Sequence, residues 1–415
     1  MPSLARKNLL EDIPRFLVAQ AGIMFAVSLV TIQTGLLSGF TRSTVLIIEG
    51  SQADIWVASN KLVHFELTDP LVYEQVDRAQ QVDGVERAEA LMLASGRWRP
   101  SDGESSPLRV IGFEPDGGLL TPGTLVQGSL SALNEPYTVM VDQSRLGSLK
   151  MRQVGDRAKV DALPAKIGAI ITGSQSIVAS TFVFASLTTA NTYATAGFSS
   201  RLSCQVRPDN DVNCTTQYEK SRSPAPVVEA PTPRPLSGTD PITYILIKAQ
   251  PGQDIVQLQQ RLQESLPGTV AKTKLEMVEM TKDYWQKRTG LGFVLGLGAV
   301  VGVVVGAIVV AQILYASVSD HLKEFGTLKA MGASDRVLYG TIVEQAMWMA
   351  VLGYIPGMLL CMGLRYWVAS RGIILLITPV SAIGVFCITV VMCVGSAFFA
   401  IQKVTRIDPA AVFKA

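Results

Sequence analysis

The chain has 415 residues, of which 48% are hydrophobic and only 17% charged, with a formal net charge of +2. An average soluble domain carries about 25% charged residues, so the composition points away from a soluble cytosolic enzyme. The 14 Phe and 13 Met exclude a disordered chain, and the near-neutral balance gives no nucleic-acid footprint.

The apolar excess lies in four windows free of charged side chains: Arg15 to Arg42, Arg288 to Asp320, Glu344 to Arg365 and Arg371 to Lys403. Each reaches the roughly 18 to 20 residues that a helix needs to cross a hydrocarbon core of about 30 Å. These windows predict a polytopic α-helical membrane protein with four transmembrane helices and a large α+β extracytoplasmic domain between helices 1 and 2. Residues 1–15 form a cytoplasmic N-terminus and residues 16–41 the first span. No small-residue cleavage site follows a short apolar stretch there, so the span reads as an uncleaved signal anchor.

Residues 42–288 are then periplasmic and alternate strand-like and helix-like patterns. Strands are predicted at Asp54–Ala58, Leu108–Phe113, Thr138–Asp142 and Thr243–Lys248. Helices are predicted at Pro70–Val82, which closes at Gly84, and at Asp254–Leu266, which stops at Pro267-Gly268. Residues 207–241 are rich in Pro, Ser and Thr and read as a mobile insertion that buries too little apolar surface to order itself. Cys204 and Cys214, ten residues apart at its start, leave two readings open: a disulfide in an oxidising compartment, or two unrelated thiols. Cys361, Cys387 and Cys393 fall in spans and read as packing residues. His64 and His321 supply no HExxH pair, so no metal-binding or catalytic residue is assigned.

The second span, residues 289–319, holds 31 uncharged residues and reaches about 46 Å as a helix, well beyond a bilayer core. It is predicted to run on into the outer domain as a stalk that moves with it. Gly292, Gly296, Gly298, Gly302 and Gly306 repeat at spacings of four, so this face is predicted to pack on another span or in a homodimer. Residues 320–336 form a cytoplasmic loop in which Leu322, Phe325, Leu328 and Met331 recur every three residues, an amphipathic helix ended by Gly332. Residues 337–364, a periplasmic turn at 365–371 and residues 372–402 complete the spans, and residues 403–415 are a cytoplasmic tail. The chain contains no Gly-Lys dipeptide, hence no Walker loop, so ATP hydrolysis requires another chain.

The string KEFGTLKAMGAS, Lys323 to Ser334, resembles the inner-loop signature of the MacB, LolC/LolE and FtsX group of ABC transporter permeases. The order of one span, a large outer domain and three spans agrees, as does the tail TRIDPAAVFKA. ADIWVAS at Ala53–Ser59 and DYWQKRTGLGFVLG at Asp283–Gly296 look most like the DevC-type exporter permeases. The resemblance implies that Lys323, Glu324, Phe325, Gly326, Leu328, Lys329, Met331 and Gly332 form a coupling helix seated in a cleft of an ABC ATPase subunit. ATP and Mg would bind to that partner and no cofactor to this chain. The implied mechanism is mechanotransmission, with a periplasmic membrane-fusion adaptor and a TolC-like outer-membrane channel as further partners, in the inner membrane. Glu344 matches an acidic position of the group. The alternative is an FtsX-like signalling scaffold that activates a cell-wall hydrolase.

Overall fold

The computed structural model describes residues 13–101, 103–174, 181–195, 198–206, 212–220, 230–288, 290–321, 324, 327, 329, 331, 334–369 and 375–405, with the backbone alone for 198–206 and 212–220. The helices in chain order are α1 (Ile13–Ser43), α2 (Leu46–Gly50), α3 (Glu74–Gln80), α4 (Leu146–Leu149), α5 (Leu187–Thr195), α6 (Ile255–Ser265), α7 (Lys274–Arg288), α8 (Leu291–Asp320), α9 (Asp335–Ala369) and α10 (Pro379–Thr405). The chain divides into two compact units, Phe40–Arg288 and the remainder.

The unit from Phe40 to Arg288 is an α/β domain. Its strands are β1 (Ile55–Ser59), β2 (Leu71–Val72), β3 (Val85–Pro100), β4 (Ser106–Phe113), β5 (Thr124–Gly128), β6 (Thr138–Asp142), β7 (Arg157–Val160), β8 (Leu163–Thr172), β9 (Thr181–Ser186), β10 (Phe198–Val206), β11 (Val212–Lys220), β12 (Pro241–Ile242), β13 (Tyr244–Ala249) and β14 (Thr269–Thr273). The main sheet runs β14-β1-β13-β3-β4-β9-β6-β8-β5, and the short β7 pairs with both β3 and β8. That pairing closes a ring, β3-β4-β9-β6-β8-β7, in which β4/β9 and β6/β8 are parallel and the other pairs antiparallel. The 16-residue β3 serves both parts, because its first half pairs with β13 and its second half with β4 and β7.

Side chains alternate across a strand, and here the alternation feeds two separate cores. Val139 and Val141 join one apolar cluster with Trp98, Val110 and Ile245, while Met140 joins the other with Trp56, Ile111 and Tyr244. With both faces covered, β6 is buried along its whole length. Helix α6 begins at Asp254, whose Oδ1 accepts from the Val256 and Gln257 amides at 2.9 and 3.3 Å, an N-cap that satisfies two otherwise orphaned donors.

Two expectations in this domain need correction. The helix expected from Pro70 starts at Glu74, because Leu71 and Val72 are drawn into a two-residue bridge with β12. The 207–241 stretch is more ordered than its composition suggests. Val212–Lys220, with Thr at 215 and 216 and Tyr218, has the β-branched and aromatic content of a strand and pairs with β10. Ala230–Pro241 packs back on the domain: the Tyr137 hydroxyl donates to the Pro231 carbonyl, and buried Asp240 pairs with Arg234 at 3.2 Å. Residues 207–211 and 221–229 lie outside the described residues.

The second unit consists of long apolar helices. Four segments are long and apolar enough to cross a membrane: Phe16–Ser43, Leu291–Asp320, Arg336–Val368 and Pro379–Gln402. Their shared core is built from small and aliphatic residues, among them Ala19, Ile23, Ala26, Val310, Ala346 and Ala397. The last helix begins at Pro379 rather than at residue 372, since absence of charge bounds a window but does not start a helix. Leu375–Thr378 instead lies outside any helix, with the Leu376 amide donating to the Gly35 carbonyl at 3.1 Å. Thr378 and Ser381 then cap the helix reciprocally: the Ser381 amide donates to Thr378 Oγ1 at 3.1 Å and the Thr378 amide to Ser381 Oγ at 2.9 Å.

Candidate coupling loop and stalk

Helix α8 is apolar all round, and Phe293, Val294, Val300 and Ile308 are each more than half exposed. Such a helix is stable in contact with lipid or protein, not with water. Its glycines divide by position. A Cβ on Gly298 would run into the Gln33 amide, one on Gly302 into Leu29, and one on Gly306 into Met392 and Ala26, so these three let α1 and α10 of the same chain approach closely. Gly353 and Gly357, flanking Pro356 in α9, do the same for Ile23 and Val27 of α1. Gly296 meets nothing within 4 Å, and Gly292 is half-buried.

Helix α8 is continuous over Leu291–Asp320, nearly the range expected of the stalk. Gly290, the residue before α8, adopts a left-handed conformation with φ 63°. A glycine takes that conformation without a Cβ clash. The expected stalk, residues 289–319, is thus one 30-residue helix, and α7 is a separate helix that precedes it in the chain.

At the other end of α8, the His321 amide donates to the Ser317 carbonyl at 3.2 Å and closes the helix. In the loop that follows, Glu324, Thr327, Lys329 and Met331 are described, whereas Lys323, Phe325, Gly326, Leu328 and Gly332 lie outside the described residues. The Met331 amide donates to the Thr327 carbonyl at 3.0 Å, the helical i to i−4 spacing, and Thr327 Oγ1 donates to the Glu324 carbonyl at 2.8 Å. Met331 is 76% exposed, a large apolar side chain uncovered in a charged loop, and Glu324 is exposed too. Glu344 sits inside α9, more than two turns from its start.

Within the α/β domain, α7 is tied down by a set of residues that sequence reasoning missed. A capping box opens it: the Thr273 amide donates to Glu276 Oε2 at 2.9 Å and the Glu276 amide to Thr273 Oγ1 at 3.2 Å. Burial opposes the Glu276 charge, but these hydrogen bonds and Lys272 outweigh it and hold the carboxyl below its ordinary value. Lys274 Nζ donates to the Ser51 carbonyl at 2.7 Å, and Lys282 pairs with Glu49 at 3.2 Å. Near its end, Tyr284 stacks on His64 at 4.1 Å, and Trp285 meets His64 and Phe40 edge-on at 5.4 and 6.4 Å. His64 is buried, and desolvation with Arg109 nearby lowers its pKa to about 4, so it is a neutral ring in this stack. The only local signal was the aromatic pair Tyr284-Trp285, and nothing in the sequence pointed it at His64, over 200 residues away. The segments by which the chain enters and leaves the domain are thus clamped to each other inside it.

The family model for a MacB-like periplasmic core domain matches residues 16–265. The chain belongs to the MacB-like permease family. A second model, the FtsX-like permease C-terminal region, matches residues 296–409 of this permease. Among curated relatives, the pyoverdine export ATP-binding/permease protein PvdT of Pseudomonas syringae pv. tomato is 27% identical over 121 residues, 29% of this chain and 18% of the relative. The macrolide export ATP-binding/permease protein MacB of Hyphomonas neptunium is 25% identical over 126 residues, 30% of this chain and 20% of the relative. The alignments therefore span about a fifth of those relatives. Of solved structures, the periplasmic region of MacB from Actinobacillus actinomycetemcomitans matches at 12% identity and TM-score 0.36, covering 59% of this chain and 97% of that one. The extracellular domain of YknZ matches at 9% identity and TM-score 0.33, covering 53% and 98%.

Proposed function

We propose that this permease is the membrane subunit of an ABC exporter, DevC-like in its partners, working by mechanotransmission. ATP hydrolysis on a separate ATPase subunit moves the loop after α8, and α8, about 45 Å long at 1.5 Å per residue, carries the motion along the membrane normal. The clamped α7 then passes it to the α/β domain through Trp285, Tyr284 and Lys282. A lipid or other amphiphile is expelled outside the membrane, with a periplasmic adaptor and an outer-membrane channel receiving it, and two copies of the chain form the working dimer. The observation that carries this reading is Met331, an uncovered apolar side chain among charged neighbours in a loop between two lipid-length helices.

The test is co-purification with the ATPase. Phe325→Asp and Met331→Asp each place a carboxylate where an apolar cleft would close over it, so both are expected to abolish the complex while leaving the chain in the membrane. Undiminished binding by both variants refutes the docking assignment. The FtsX-like scaffold reading draws on the match at residues 296–409; stimulation of a cell-wall hydrolase by the purified complex, without export, would favour it. The β10–β11 register sets Cys204 opposite Cys214, a spacing within the usual reach of a disulfide. We expect the two to be bonded in the oxidising periplasm, which a mass increase of alkylated protein only after reduction would report.

A further inference from the structure

The segment after β6 carries a group of cations that form no ion pair among the described residues. Lys150, Arg152 and Arg157 line an open cavity of about 660 Å³ together with Pro100, Ser101 and Asp156. Among the described lining residues Asp156 is the only carboxylate, and its Oδ2 is engaged by the backbone amides of Arg152 and Gln153 at 2.7 and 3.2 Å. Among the described residues, none of the three cations has an ion pair. On the adjoining strands, Arg99 of β3 lies directly opposite Lys159 of β7. Like charges facing across a strand pair are destabilising, so this edge concentrates positive charge against its own stability. The nearest counter-charge in β7's turn, Asp161, is paired with Arg97.

The wall that holds these cations is built, not loose. Buried Trp98 donates its indole N–H to the Leu149 carbonyl at 3.0 Å, and the Met151 amide donates to the Leu146 carbonyl at 2.9 Å. Between them Lys150 is held left-handed, φ 55°, at a helix C-terminus where glycine or asparagine is the usual occupant. A lysine there accepts backbone strain in order to place an ammonium at the cavity. Gly103 leaves room for it, since a Cβ at that position would strike the Lys150 side chain.

We propose that this cavity is a binding site for a soluble ligand carrying two or more anionic groups, carboxylate or phosphate. Its volume far exceeds that of a single phosphate and lies within the range of small-molecule sites, about 300 to 1,000 Å³. Three convergent cations match a multiply charged ligand better than a monoanion. The proposal is independent of the exporter reading, because it rests on the α/β domain alone.

The full chain in phosphatidylcholine nanodiscs, titrated calorimetrically with pyrophosphate and with citrate at low and physiological salt, tests it. Saturable binding of either probe, with acetate at least tenfold weaker, is expected. Arg152→Gln combined with Arg157→Gln should weaken that binding about tenfold or more, the loss of charge-assisted hydrogen bonds. Lys150→Gly removes the strain, so it should weaken binding while leaving the melting temperature unchanged or raised, which a merely structural lysine would not do. The proposal is overturned if neither probe saturates, if acetate binds equally, or if the variants bind as the parent does. Tighter binding of an octaglutamate peptide than of both small anions would also overturn it, reassigning the edge to a protein partner.

Discussion

The two units of this permease solve the packing problem with opposite residues. In the α/β domain the fully buried side chains are large, Trp56, Trp98, Tyr244 and Phe184 among them, whereas the core of the helical unit is dominated by Ala, Val and Ile and by glycines that admit a neighbour's side chain. The contrast fits a helical unit whose four segments are long and apolar enough to cross a membrane. In water, removing a large ring from solvent is itself the driving force, about 25 cal/mol per Å². Between helices in lipid that force is absent, and close approach of small residues supplies the contact instead. Four measurements test the contrast between the two units.

The largest effect should come from Trp98→Ala. The change empties a core site and orphans the Leu149 carbonyl, so a loss of about 3 to 5 kcal/mol is expected. Denaturant unfolding of the chain would measure it, and a loss below about 1 kcal/mol would show that ring burial does not dominate this domain.

Acid should weaken the same domain through His64. Its folded pKa, about 4, lies below the unfolded value near 6.5. The unfolded state therefore binds the proton first, and the stabilisation is complete above pH 6.5 and lost as pH falls toward 4. The raised carboxyls of Glu66 and Glu89, both raised chiefly by burial, act in the reverse sense, favouring the fold below the ordinary carboxylate value and losing that contribution as pH rises. His64→Phe keeps a ring against Tyr284 but cannot titrate. Between pH 7 and 4 the parent should lose on the order of 2 to 3 kcal/mol more than the variant, and parallel pH profiles would remove His64 from the account.

In the helical unit the matched pair is Gly306→Leu and Gly296→Leu. The first forces a side chain into Met392 and Ala26, at a cost of about 1 to 3 kcal/mol, while the second enters open space and should be near neutral. Unfolding in mixed micelles reads both. Equal costs would mean that the glycine spacing serves something other than packing within the chain.

How much of this was legible in the sequence depends on whether the deciding contact is local. Thr138–Asp142 was located to the residue because a β-branched run bounded by turn residues needs no distant information. Helix α6 was bracketed by Asp254 and Pro267-Gly268 for the same reason. The four long helices follow from missing charge alone. What escaped was non-local or conformational. The four-residue β7 has no recognisable pattern, yet it closes the ring because β3 and β8 both reach it. The left-handed conformation of Gly290 is invisible where glycine is common anyway. Of the loop after α8, the period of Leu322, Phe325, Leu328 and Met331 was legible, but only Met331 of the four lies among the described residues. The clamp of Trp285 on His64 and Phe40 joins three distant segments, and the aromatic pair Tyr284-Trp285 gave no hint of its partners.

The smallest predicted effects concern a device that both units share. Asp254 caps α6 in the α/β domain, and Thr378 with Ser381 caps α10 in the helical unit. Removing an N-cap in water costs about 1 kcal/mol, because the freed amides regain only water as a partner. Asp254→Ala should show that loss in denaturant unfolding. Thr378→Val keeps the shape of the side chain and deletes only the hydroxyl, leaving the Ser381 amide without its acceptor. If that helix end lies at the water interface, the two losses should agree within a few tenths of a kcal/mol. If it lies deeper, water cannot take over, and Thr378→Val should cost more by the penalty of an unsatisfied amide, about 1 to 3 kcal/mol. The difference between these two variants thus measures how far water reaches toward the start of α10.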